Sequence, residues 1–272
     1  MTSLQSPPPL PSSELSTNII NTGVAVDARQ YVAEGTALHA TLALVGLVLI
    51  LLITVLITYG IAIIFWAIGG VVYIFKMKKA RAALRGSALR VGSDQFPDIA
   101  RSVAALSGRL GMPTPPEVYI VAAAQPNALA AKLGHRLYVV LHDDIIHGTQ
   151  QIENPRVLDF ILAHELAHHA LGHTGLVRRS MAAASKSLSR RDEFSCDAVA
   201  NALLGDLDAA RDALSLLMVG PHLFKQISPA GLERQLQEVL EDPNSRRAER
   251  SMRMTHPLIL RRIARLYGKI KI

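Results

Sequence analysis

Between His39 and Lys76 run 36 residues without a single Asp, Glu, Lys or Arg, well beyond the roughly 20 apolar residues that carry a helix across a bilayer. One straight helix of that length would measure about 54 Å, against a hydrocarbon core of about 30 Å. Two shorter helices fit better, and one long tilted helix protruding from the membrane is the alternative. The natural break is Thr58-Tyr59-Gly60, which leaves spans near 37–57 and 61–76. The block is too long for a cleaved signal peptide, and a polar Pro/Ser-rich stretch (SPPPLPSS) precedes it where such a peptide would be basic. Residues 1–36 follow neither the helical nor the strand period, and read as a disordered tail.

After Arg90 the apolar positions become periodic. They predict a helix near 94–110, stopped by Gly111-Met112-Pro113, and strands near 117–123 and 136–141, where VYIV and LYVVL are β-branched or aromatic runs. A helix follows at about 155–172, with Pro155 suited to its first turn and Gly172 to its end. Further helices are expected near 190–204, 207–219 and 257–267. The basic, Ala/Ser-rich segment 176–190 reads as a mobile lid or a solvated helix. The chain contains no internal repeat, and about 180 residues are enough for one domain with a real core. The division is therefore a tail at 1–36, a membrane region at 37–76, a basic linker at 77–92 and a mostly helical α+β domain with a small antiparallel sheet at 93–272.

Charge then orients the membrane region. Lys76, Lys78, Lys79, Arg81, Arg85 and Arg90 follow the apolar block with no acidic residue among them, and such clusters stay in the cytoplasm. The same cluster accounts for much of the formal net charge of +7, so attraction to anionic lipid explains the excess without nucleic acid as a partner. Cys196 is the only cysteine; it has no intramolecular disulfide partner, which suits a reducing compartment. It reads as a small packed residue.

The chemistry lies in His164-Glu165-Leu166-Ala167-His168, an H-E-x-x-H within a run (DFILAHELAHHAL) free of Gly and Pro. On a helix the two His, four apart, share one face and reach a single tetrahedral Zn²⁺, with Glu165 beside them as a base. Downstream, Glu193 and Asp197 repeat the four-residue spacing and make available a third ligand and a carboxylate behind a ligand. A metzincin pattern is excluded, because Leu171 and Thr174 stand where its Gly and third His would be. His169 and His173 form a second pair on another part of the helix surface, with a solvated or core-edge role.

These motifs, with Thr255-His256-Pro257 and Arg261 further on, resemble the membrane zinc metallopeptidases of the HtpX and CAAX-prenyl-protease type. That pattern is H-E-x-x-H, then E-[aromatic]-x-x-D, then H-P followed by an Arg. Pro126-Asn127-Ala128-Leu129-Ala130 with Gly134 is similar to the family's edge-strand segment, so the resemblance extends over about 93–268. It implies a zincin-type fold behind a transmembrane hairpin, and one Zn²⁺ per chain on His164, His168 and Glu193. It also implies Glu165 as general base, Asp197 orienting a ligand His, and His256 and Arg261 as further site residues. The chain departs from the pattern in one respect. Transmembrane helices commonly separate the two zinc motifs in that family, whereas only 24 residues lie between His168 and Glu193 here.

The resemblance implies endoproteolysis of membrane or membrane-proximal proteins, damaged ones among them. His256 is the candidate oxyanion donor and Asn127 a weaker one, while Ala128 lies in the segment expected to pair with substrate by β-augmentation. Two other readings use the same residues. One is a catalytically silent membrane scaffold whose zinc serves folding, against which Glu165 argues. The other is a prenyl-protein protease, for which two short spans are too few to enclose a chamber. Gly and Ala positions in the spans also suit packing against another membrane protein or a second copy.

Overall fold

The structure is a computed structural model that describes residues 23–122, 127–152, 154–251 and 256–270. The Pro/Ser-rich stretch, Pro126 and Thr255 lie outside the described residues. Two apolar helices come first, α1 (Thr36–Ile57) and α2 (Ile61–Ser87). Both are long and apolar enough to cross a membrane, and neither buries that surface within the chain. They part where expected: Tyr59 and Gly60 take φ values of 49° and 87°, which turn the chain back on itself. The helix α2 does not end at Lys76, however. It continues through the basic stretch to Ser87, because KMKKARAALR holds only good helix formers. The expected linker is thus mostly helical.

Residues 23–36 are not loose either. The Val26 N–H donates to the Arg109 carbonyl at 2.8 Å, and the Ala33 N–H to Ser195 Oγ at 2.9 Å. The Arg191 guanidinium donates to the Glu34 carbonyl at 2.6 Å. Ala28, Ala33 and Thr36 are buried by these contacts, which tie the start of α1 to the body.

The body then runs β1 (Leu89–Arg90), α3 (Pro97–Arg109), β2 (Glu117–Val121), β3 (Ala128–Leu133), β4 (Arg136–His142) and α4 (Asp143–Gln150). The remaining helices are α5 (Arg156–Ala170), α6 (Leu176–Ala184), α7 (Lys186–Leu204), α8 (Leu207–Val219), α9 (Pro229–Glu241), α10 (Asn244–Ser251) and α11 (Ile259–Leu266). The sheet has the order β1-β2-β4-β3. It is mixed, which corrects the expectation of an antiparallel sheet: β2 and β4 pair in parallel. After β2 the chain crosses to the far edge to form β3. A two-residue turn with Gly134 at φ 72° then returns β4 into the gap, so β4 must run in the direction of β2.

That detour makes β3 an edge strand. Its inner side pairs with β4 from Ala128↔Leu141 to Leu133↔Arg136. The central strands β2 and β4 are buried on both faces, which explains their unbroken apolar runs. Beneath them α5 is apolar nearly all round, with Val157, Phe160, Leu162, Ala163, Leu166 and Ala167 at 0–1% exposure. It packs against the sheet, α7 and α8, while α11 packs across α7, α8 and α9. Helix α5 is therefore the central rod of the core, and the polar side chains on its last turns are held rigidly.

Candidate metal centre

Helix α5 ends in a Schellman arrangement that shapes one side of the site. Gly172 takes φ 75°, its N–H bonds to the His169 carbonyl at 3.0 Å, and the His173 N–H returns to the His168 carbonyl at 2.9 Å. Helix α7 starts cleanly because Ser185 Oγ accepts the Leu188 N–H, and it ends at Gly205, φ 64°. It lies against α5 over much of its length. This packing brings Glu193 and Asp197, one turn apart on α7, to His164 and His168, one turn apart on α5.

Glu193 stands between the two imidazoles. His164 Nε2 is 3.5 Å from Glu193 Oε2, and His168 Nε2 is 3.5 Å from Glu193 Oε1. The imidazole centroids of His164 and His168 lie 5.1 Å apart. A tetrahedral zinc with bonds of about 2.0–2.1 Å separates its donors by roughly 3.3–3.4 Å, so the spacing and the N/O donor set fit that ion. Cys196 is a rival donor, since its thiol also lies close to His164 and His168. It is fully buried. That burial, with the carboxylates of Glu193, Asp197, Glu165 and Asp192 around it, pushes the thiol well above its ordinary pKa.

Behind His164 is a charged clamp. His164 Nδ1–H donates to Asp197 Oδ1 at 2.9 Å, which leaves Nε2 free to face Glu193. Arg262 forks onto the same carboxylate, with Nη2 2.6 Å from Oδ1 and Nε 2.8 Å from Oδ2, and its Nη1 is 3.5 Å from Glu193 Oε2. Burial alone would raise the pKa of Asp197, but the Arg262 charge and the hydrogen bonds hold it below the usual range. Glu193 is held well below in the same way: burial opposes ionisation, and the imidazoles and Arg262 outweigh it. Burial lowers the His164 pKa, but its bonds to Asp197 and Glu193 win and raise it to about 10.

The sequence reading named Arg261 as a further site residue; the arginine that reaches Asp197 is its neighbour Arg262. Helix α11 begins at Ile259, and successive residues on it point about 100° apart. Arg262 falls on the face toward Asp197 and lines the cavity, whereas Arg261, on the neighbouring face, is not among its lining residues.

His173 is the residue the sequence left out. Its Nδ1 lies 3.2 Å from His168 Nδ1, and its Nε2 lies 3.4 Å from Asp192 Oδ1, which Arg178 also binds. Burial first, then the positive neighbours His168 and Arg178, lower the His173 pKa to about 2, so it stays neutral. Its neighbour His169 does keep to the core, between the Tyr138 carbonyl at 3.0 Å and Thr174 Oγ1 at 3.1 Å.

Around these groups opens a cavity of about 780 Å³. Asn127, Ala128 and Ala130 of the edge strand form one wall, Glu165 and the two imidazoles the floor, and Leu217, Met218 and Leu258 part of an apolar side. His256 reaches in from before α11, exposed to solvent, with Nδ1 3.2 Å from Glu193 Oε2. Asn127 Oδ1 accepts the Ala128 N–H at 2.9 Å, so its carbonyl end is occupied while its amide stays at the cavity rim.

A family model described as Peptidase family M48 matches residues 93–185 and 174–270. The matched segments take in His164, Glu165, His168, Glu193, Asp197, His256 and Arg262. No curated protein and no solved structure matches the chain.

Proposed function

The chain belongs to peptidase family M48, and from that membership and the geometry of its site we propose that it is a membrane-anchored zinc endopeptidase. The observation that carries the reading is Glu193 standing 3.5 Å from both His164 Nε2 and His168 Nε2, at the floor of a cavity that Glu165 also lines. His164, His168 and Glu193 are the residues that hold the metal. Zinc on three protein ligands lowers the pKa of a water towards neutrality and polarises the scissile carbonyl.

The remaining chemistry belongs to the chain. Glu165 takes the proton from the attacking water and passes it to the leaving amine. The open side of β3 pairs with an extended peptide through backbone hydrogen bonds that are largely indifferent to sequence, and so lays its carbonyl across the cavity floor. His256 stands beside Glu193 where it donates to the developing oxyanion. Asp197, locked by Arg262, fixes the tautomer and direction of His164. On the other side His173 accepts from His168 Nδ1 and does the same for the second imidazole. Domain boundaries follow: the spans end near Lys76, and the catalytic body starts near residue 93 on the cytoplasmic side, where the basic end of α2 lies.

Two expected results test this reading. The purified chain in detergent degrades an unfolded reporter protein, loses that activity on treatment with a zinc chelator, and recovers it when zinc is restored; activity indifferent to chelation would overturn the proposal. His173→Ala binds zinc about 10–100-fold more weakly, the range typical for loss of a partner behind a metal ligand. Competition with a chromophoric chelator reads this directly, and His173→Gln, which keeps an acceptor, should recover part of it. An unchanged zinc affinity in His173→Ala would make His173 a packing residue only.

A further inference from the structure

Helix α6 reaches the site only through Arg178, which binds Asp192, yet by packing it links the membrane helix α1 to α7. It packs against α1 and α7. On α1 the partly or fully buried positions Thr36, His39, Ala40, Ala43, Gly46 and Leu47 form one stripe, the face on which α6 and α7 rest. The rest of that stretch of α1 is exposed, with Leu38, Leu42, Leu44 and Val45 its large side chains.

The depth of this stripe follows from the hairpin. Lys76, where charge begins, is sixteen residues beyond Gly60, or about 24 Å along α2. The same distance back along α1 from Thr58 reaches residue 42. For two antiparallel spans in one bilayer, the first turns of α1 stand level with the basic end of α2, and α6 packs at the level where the apolar spans give way to charge.

The face that α6 turns away from α1 is suited to that level. Leu176 and Val177 are each 58% exposed, Ala183 and Ala184 are exposed, and Arg179 is the charged residue among them. The helix contains no acidic residue. An apolar face edged by a basic side chain is the composition of a helix lying in the headgroup region, its cation at the phosphates and its apolar side among the first methylenes.

We propose that α6 lies in the membrane interface and rests this face on lipid. The inference depends on α1 and α2 spanning a bilayer. Its consequence is spatial: α7 continues directly from α6, and Glu193 is eight residues past Ser185, about 12 Å along the helix. The metal centre is thereby held a short way from the lipid surface, where segments of membrane proteins emerge.

Single cysteines carrying an environment-sensitive fluorophore test the placement in phosphatidylcholine/phosphatidylglycerol vesicles. The native Cys196 is 0% exposed, so the wild-type chain serves as the blank. Labels go at Leu176→Cys in α6 and at Leu52→Cys within α1. The expected result is quenching of the Leu176→Cys label by a lipid carrying its quencher near the headgroup, several-fold more strongly than by one carrying it deep in the acyl chain, with the reverse order for Leu52→Cys. A Leu176→Cys label reached by aqueous iodide but by neither lipid quencher, while Leu52→Cys is still quenched from the bilayer, overturns the proposal and spares the spans. Loss of lipid quenching at both positions overturns the spans and the proposal together.

Discussion

Glu165→Gln keeps its zinc and loses cleavage. Glu165 is 7% exposed, between two imidazole-bearing positions on the rigid helix α5, and lines the cavity. The amide has nearly the shape of the carboxylate, so packing and metal loading should survive. What the amide lacks is the ability to accept a proton and return it. Positioned general acid–base groups contribute about 10²–10⁴-fold, and that is the expected fall in the rate of cleavage of an unfolded reporter at matched zinc content. Equal rates would remove Glu165 from the chemistry and point to a contaminating protease. Loss of zinc along with activity would mean that the side chain builds the site instead of acting within it.

The parts of this protein that were legible in its sequence are those governed by short-range periodicity. The spacing of His164 and His168, and of Glu193 and Asp197, states which residues share a helical face, and α5 and α7 present them accordingly. The break at Tyr59-Gly60 was visible because an apolar run of that length cannot stay in one bilayer as a straight helix. What escaped depends on how one element is laid against another. The parallel pairing of β2 with β4 follows from a strand crossing to the far edge, which no local pattern encodes. The choice between Arg261 and Arg262 turned on where α11 begins, a one-residue matter that rotates the side chain by about 100°.

His173 is a different case, since a signal for it did exist. A Gly just past a helix end returns the next residue's N–H toward the carbonyl five positions back, and from Gly172 that carbonyl is on His168. Reading the cap as geometry rather than as a stop would have placed an imidazole behind the second ligand. Asp192 could be added to that imidazole only by the packing of α7 on α5. Cys196, read as a small packed residue, is fully buried with its thiol close to His164 and His168, a juxtaposition that depends on the packing of α7 on α5.

Arg262→Met should be the most damaging substitution to the fold itself. The guanidinium is 6% exposed and is the partner of two buried carboxylates, with Asp197 1% and Glu193 5% exposed. Removing it leaves Asp197 without its bonds at 2.6 and 2.8 Å. Breaking a buried pair from one side costs about 3–5 kcal/mol, because the surviving charge stays out of water unpaired. In a domain of this size that corresponds to a fall in melting temperature on the order of 10 °C, readable by thermal unfolding in detergent. Arg262→Lys should recover only part of it, since an ammonium does not span both oxygens of Asp197. Zinc should recover another part, because a cation beside Glu193 takes over some of the lost compensation and binds only the folded chain. A melting temperature unmoved by Arg262→Met in zinc-free protein would refute the clamp behind His164.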